Sequence, residues 1–215
     1  MRMLIKHFRY ISYLLVLYGF QAVSAGTIDE FFTAIKRDHG NTVESVLRGG
    51  FDPNTVDEQG NPGLVIALRI GSYEAAAALL ESPRLDPDAA NPLGETALML
   101  ACLRGQQSMA ERLIKRGAAV NRKGWTPLHY AASGEDPHIV AWLLDRGAHV
   151  DATAANGNTP LMMAAQYGAS ASVEILLAKG ADVNRLNQSN LSAADMATQS
   201  GRDSLAAMLA RRMNR

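Results

Sequence analysis

The sequence predicts an all-α solenoid of stacked helix-turn-helix units with short β-hairpin-like fingers between them. Three observations carry that reading: a short phrase that recurs at a near-constant interval, a second phrase that closes each interval, and an apolar triplet at helical spacing between the two. Units of this kind bury their core only against one another, so the array counts as a single domain.

The opening phrase is clearest in Gly94-Glu95-Thr96-Ala97-Leu98, Gly124-Trp125-Thr126-Pro127-Leu128 and Gly157-Asn158-Thr159-Pro160-Leu161. Gly60-Asn61-Pro62-Gly63-Leu64 and Asn190-Leu191-Ser192-Ala193-Ala194 are weaker copies, and the five first positions lie 34, 30, 33 and 33 residues apart. The closing phrases are Asp52-Pro53-Asn54, Asp86-Pro87-Asp88, Ala119-Val120-Asn121, His149-Val150-Asp151 and Asp182-Val183-Asn184. From each closing phrase to the next opening one is six residues, except after Asn121, where it is three. One shortened finger thus accounts for the 30-residue period.

Two helices fill each interval. The first begins where Thr126 and Thr159 can accept backbone N–H bonds as N-caps and where Pro127 and Pro160 suit the first helical turn. It ends at Gly71, Gly105, Gly168 or Gly201, each expected to adopt the left-handed conformation of a helix exit. The second helix carries the triplets Val43/Val46/Leu47, Ala76/Leu79/Leu80, Ala110/Leu113/Ile114, Val140/Leu143/Leu144, Val173/Leu176/Leu177 and Ala206/Leu209/Ala210, one buried stripe per unit.

Thr126-Pro127-Leu128-His129-Tyr130-Ala131-Ala132, followed by Asp136-Pro137-His138-Ile139-Val140-Ala141-Trp142-Leu143-Leu144, closely resembles the ankyrin-repeat consensus. The resemblance covers residues 28 to 215, with units at about 28–54, 55–88, 89–121, 122–151, 152–184 and 185–215. It implies a curved stack of antiparallel helix pairs, fingers projecting at one edge, and a structural role for His129 beside the Thr of its phrase. The two end units depart from the pattern as caps should, because an open stack needs a solvated face at each terminus. Lys36, Arg37, Asp38 and His39 serve the first, and Arg202, Arg211, Arg212 and Arg215 the last.

Ahead of the array, Arg2, Lys6 and Arg9 precede an apolar run from Ile11 to Phe20, and Val23 and Ala25 place small residues before a cut at Gly26. Residues 1–25 therefore read as a secretory signal peptide, with an uncleaved N-terminal anchor as the alternative, leaving 26–215 as the ankyrin-repeat domain. The expected location is the bacterial periplasm, or otherwise a secreted protein. Cys102 is the single cysteine, so no disulfide within the chain supports it after export.

The composition, 215 residues with 47% hydrophobic and 20% charged, is that of a folded domain. Lys+Arg and Asp+Glu are both 21; loss of Arg2, Lys6 and Arg9 leaves 18 against 21, formally minus three. No basic excess points to nucleic acid.

The motifs of catalysis are missing. His39, His129, His138 and His149 stand 90, 9 and 11 residues apart, not at the spacing of a helical metal site. The chain has no G-x-S-x-G elbow, P-loop or G-x-G-x-x-G. Cys102 takes the place of Ala132 and Ala165 in neighbouring units, as a buried small hydrophobe would, and Glu135 and Asp136 read as solvated helix-start residues. No enzyme, cofactor or metal is expected.

What remains is a face for binding. In the implied fold the first helices line the concave side, where Ile66, Arg69, Ile70, Leu100, Leu103, Arg104, Tyr130, Met163, Gln166 and Tyr167 form an exposed row. Aromatics, Met and Arg are what interface hot spots favour. Trp125 occupies a position held by Asn61, Glu95, Asn158 and Leu191 elsewhere and follows the short, basic finger Arg122-Lys123. It is expected to be exposed, the alternative being that it folds back over the gap; Trp142 is expected to pack. The reading is a monomeric, non-enzymatic module that binds a protein partner through its concave face and fingers. The resemblance to exported bacterial members allows two roles, assisting a periplasmic enzyme such as a catalase or acting as an immunity protein against a toxin. The rivals are an enzyme or small-molecule binder gripping an anion with Arg69 and Arg104, and self-association through an end of the stack.

Overall fold

A computed structural model describes residues 27–213. The expected signal segment lies outside the described residues. Among the described residues twelve helices form six pairs: α1 (27–36) and α2 (Gly40–Arg48), α3 (Gly63–Ile70) and α4 (Tyr73–Glu81), α5 (Ala97–Leu103) and α6 (Gln107–Lys115), α7 (Pro127–Ser133) and α8 (Pro137–Asp145), α9 (Pro160–Gln166) and α10 (Ser170–Ala178), α11 (Ala193–Gln199) and α12 (Asp203–Met213). The first helices α3, α5, α7, α9 and α11 stack in chain order, and the second helices form an outer layer, with α2 on α4 and α8 on α10. Among the described residues the fingers hold no strand, only isolated antiparallel bridges at Val56 with Pro62 and Ala90 with Thr96.

The inner helices are buried almost all round, Gly63–Leu68 in α3, Ala97–Cys102 in α5 and Pro160–Ala165 in α9 being continuous buried runs. Each is enclosed by a neighbour on either side and by the outer layer behind it. The outer helices bury one stripe each, and in most of them it sits nearer the N-terminus than the triplets suggest. Ala75/Ala76/Leu79, Met109/Ala110/Leu113 and Ile139/Val140/Leu143 are buried, whereas Leu47, Ile114, Leu144 and Leu177 are only partly covered and Ala210 is exposed. Helical side chains lean toward the N-terminus, which turns the last position of these triplets outward; Leu80 is the exception and is buried with Ala76 and Leu79. Trp142 packs as expected, its Nε1 donating to Glu111 Oε1 at 3.2 Å and its ring covered by the Arg146 guanidinium at 4.1 Å.

The closing phrases join the units by a ladder. The last residue of each of the first four phrases accepts the backbone N–H of the next unit's phrase: Asn54 from Asp86 at 2.7 Å, Asp88 from Ala119 at 2.9 Å, Asn121 from His149 at 2.9 Å and Asp151 from Asp182 at 3.1 Å. The bond needs a side-chain oxygen, which Asn and Asp supply at these four positions.

Three of the four expected glycine exits are left-handed, Gly71, Gly105 and Gly201 having φ of 83°, 67° and 68°. Gly168 is not. It is glycine because a Cβ there would lie 1.9 Å from the Ala132 carbonyl oxygen of the preceding unit. The caps also differ from expectation in part. Lys36, Arg37, His39, Arg211 and Arg212 are exposed, but Asp38 accepts the Ala75 N–H at 2.9 Å and Arg202 donates to the Ala164 and Ala165 carbonyls at 2.8 and 3.0 Å. Both join the end unit to its neighbour. Arg215 lies outside the described residues.

Candidate functional site

The equivalent positions of the first helices decide what the inner face offers. Four residues into each helix stand Ile66, Leu100, Tyr130, Met163 and Met196; all but Tyr130 are buried, and Tyr130 is partly so. Exposure was expected for Ile66, Leu100 and Met163, and the structure corrects it. The next residue along is always alanine, Ala67, Ala101, Ala131, Ala164 or Ala197, each fully buried, so neighbouring helices approach closely and the longer side chain fills the space between them.

The free positions are the last of each helix and the residue after it. Ile70 (49% exposed), Leu103 (36%) and Tyr167 (62%) stand there, with Gln166 partly covered. They form an apolar row at the end of the inner helices remote from the fingers, and the core uses none of it.

Arg69 and Arg104 occupy the same row but are already engaged. Arg104 Nη2 donates to the Arg69 carbonyl, and Arg69 Nη2 meets Glu95 Oε2 at 2.5 Å. Glu95 also accepts the Tyr130 hydroxyl at 3.2 Å and the Asn91 side-chain N–H at 2.7 Å, so one carboxylate joins three consecutive units. Burial, followed by the negative charge of Glu95, pushes the Tyr130 phenol up to about 12. Two guanidiniums held in this way do not form the anion grip considered from sequence.

The short finger behaves unlike the others. Those at Asp57, Asn91, Ala154 and Asn187 each close on a pair of backbone bonds, for example Asn91 N–H to Glu95 O at 3.0 Å and Gly94 N–H to Asn91 O at 2.8 Å. Among the described residues the span from Asn121 to Thr126 makes no such pair. Trp125 is not the exposed side chain that the sequence predicts. It is partly buried, edge-on to His129 and Tyr130 with ring centroids 5.2 and 6.4 Å away, so the indole leans on the first helix of its own unit. Lys123 is exposed, while Arg122 is partly covered with its Nη1 buried and unpaired.

His129 is structural. Its Nδ1 lies 3.2 Å from the Thr126 N–H and 2.9 Å from the Thr126 hydroxyl, its Nε2 is 3.0 Å from the Asn158 carbonyl, and burial holds its pKa below the usual imidazole value. Thr159 caps as expected, accepting the Met162 N–H at 3.3 Å. Cys102 is a buried free thiol whose ionisation burial pushes upward, and no cluster of His, Cys, Asp or Glu among the described residues suits a metal. No described helix is long and apolar enough to cross a membrane.

Sequence reasoning passed over two finger leucines, Leu93 (78% exposed) and Leu186, and also Tyr73. Leu93 had a signal, an apolar side chain inside a turn, and Leu186 a weaker one, an apolar side chain in a finger. Tyr73 had none, because it begins an outer helix and faces the inner row only through the turn before it.

Comparison with known proteins agrees with this architecture. A family model described as ankyrin repeats matches in overlapping segments, 31–123, 64–154, 120–187 and 135–214. Curated relatives include the nuclear factor NF-kappa-B p105 subunit of Gallus gallus, 31% identical over 156 residues and 69% of this chain, and protein glp-1 of Caenorhabditis elegans, 30% identical over 180 residues and 76% of this chain. The chain spans only 16% and 14% of their lengths. Among solved structures, a chain in the complex of the Bd0816 predatory endopeptidase from Bdellovibrio bacteriovorus with immunity protein Bd3460 superposes with a TM-score of 0.71 at 27% identity, over 85% of this chain and 97% of that one.

Proposed function

The chain belongs to the ankyrin-repeat family, and from that premise we propose that it is an exported, non-enzymatic binding module that holds a protein partner on its inner face and restrains an enzyme's activity. The observation that carries this is the row Ile70, Leu103 and Tyr167, large apolar side chains in solvent where the core makes no use of them. The surroundings support binding over catalysis. On the inner face Arg69 is paired with Glu95, and His129 is spent on Thr126 and Asn158.

Export rests on the sequence of residues 1–25. The restraining role, rather than assistance to an enzyme such as a catalase, is supported by the likeness to a chain from an endopeptidase–immunity protein complex. The partner in this reading is an enzyme harmful to the cell that makes it.

The test uses the full chain, expressed from its own start codon and recovered from the periplasm. Mass measurement of the recovered protein reports whether residues 1–25 are removed. The immobilised protein and its Leu103→Ala/Tyr167→Ala variant are then exposed to periplasmic extract of the source cell. A protein retained by the first, lost by the variant, and inhibited on addition of the soluble module meets the expectation. Equal retention by both removes the inner row as the site, and retention without inhibition removes the restraining role.

A further inference from the structure

The inner row has one break. At the position of Ile70, Arg104, Tyr167 and Ser200 the fourth unit has Gly134, and at the next position, where the other units have Gly71, Gly105, Gly168 and Gly201, it has Glu135. The side chain and the glycine have exchanged places. Gly134 is in extended backbone, φ −84° and ψ 176°, so its conformation does not require glycine. The neighbouring backbone does: a Cβ at Gly134 would lie 2.5 Å from the Leu103 carbonyl oxygen. The break is therefore built into the stacking of the third and fourth units.

Beside it lies a groove of about 760 Å³ with Tyr73, Leu103, Arg104, Ser133 and Glu135 in its lining. Its charges are not balanced. The Arg104 guanidinium is drawn off to the Arg69 carbonyl, and Asp136 is committed to the start of α8, where it accepts the His138 N–H at 2.9 Å. Glu135 is exposed and among the described residues has no ion pair or hydrogen bond. With Asp136 already capping α8, the helix does not need the second carboxylate.

We propose that this notch receives a basic side chain, lysine or arginine, from a loop of the docked protein, with Glu135 as its counter-charge and Leu103 and Tyr73 against its aliphatic stem. Long basic side chains suit such a site because the stem covers apolar surface while the head keeps its charge partner. The proposal rests on the inner face being a protein-docking surface and names what that surface selects.

Three blocked pentapeptides, alike except for a central Arg, Gln or Glu between leucines, serve as probes for the isotope-labelled full chain recovered from the periplasm. The Arg peptide is expected to shift the amide resonances of Leu103 to Gln106 and Ser133 to Asp136, and to bind about fivefold more tightly than the Gln peptide. Glu135→Gln, an isosteric exchange at an exposed position, is expected to remove that difference. Equal binding of the Gln or Glu peptide at these amides overturns the basic occupant and leaves the docking face standing. Shifts confined to Ile70 and Tyr167 do the same, and failure of every peptide to shift any of these amides overturns the notch as a binding site.

Discussion

Gly168 meets Ala132 backbone to backbone, with no room for a single Cβ between them. The amide N–H of the following residue, Ala169, donates to the Gly134 carbonyl at 3.3 Å, so the fourth and fifth units are joined main chain to main chain at this turn. Gly168→Ala forces the units apart and is expected to cost about 3 kcal/mol, the upper range of overpacking. Gly117→Ala, at a left-handed position with nothing within 4 Å, is the control and should cost about 1 kcal/mol. Urea denaturation of the two variants checks the ordering, and equal losses would mean that the close approach is not what selects Gly168.

Glu95 holds Arg69, Asn91 and Tyr130 together, so Glu95→Ala should cost about 2 kcal/mol through the partners it leaves unpaired. The same variant should lower the Tyr130 pKa from about 12 toward its ordinary value of 10, though not fully, because burial is the larger cause. The raised pKa means that the folded state holds the phenolic proton more firmly than the unfolded state does. Its stabilising contribution is therefore complete below pH 10 and lost as pH rises toward about 12. Ultraviolet titration of the phenolate in the two proteins separates the contributions.

His129 acts in the opposite sense. Its pKa lies below the ordinary 6.5, so the unfolded state binds the proton more readily, and stability present above pH 6.5 is lost as pH falls below it. His129→Asn should lower stability at neutral pH by about 2 kcal/mol and flatten the acid dependence. Stability measured from pH 7.5 down to 5 checks both, and an unchanged slope would assign the acid dependence to other groups.

Trp125 and Tyr167 should separate cleanly. Trp125→Ala strips a partly buried indole from His129 and Tyr130 and should cost about 2 kcal/mol of stability. Tyr167→Ala, at an exposed ring, should leave stability within about 0.5 kcal/mol yet weaken partner binding by more than about 2 kcal/mol. Thermal melts alongside binding isotherms test the pair. A Tyr167 variant that binds normally would move the site away from the inner row.

The repeat was legible because its signals are local. The phrase around Thr126 and Pro127 sets a helix start within a few residues, and the three residues missing after Asn121 mark the unusual finger by simple spacing. His129 and Cys102 could be assigned to the core by their place in the repeat. The candidate face was legible only in part. Ile70, Leu103 and Tyr167 were found, but Met163 at 9% exposure and Trp125 against two rings were misjudged. Met163 is covered where its helix stacks on those of the neighbouring units, and Trp125 by two rings of its own unit that come within reach only once the chain turns from the short finger into the helix.

By itself the sequence determined the number of units, the helix starts, the shortened finger and the absence of familiar catalytic motifs, since each depends on residues within one turn or one period. The tertiary structure decided which side chains of the inner helices reach solvent, that Glu95 joins three units, and that Gly134 opens a notch beside an unpaired Glu135. Those outcomes depend on how closely adjacent helices stack. That spacing is set by alanine and glycine contacts between units and is not written in any one of them.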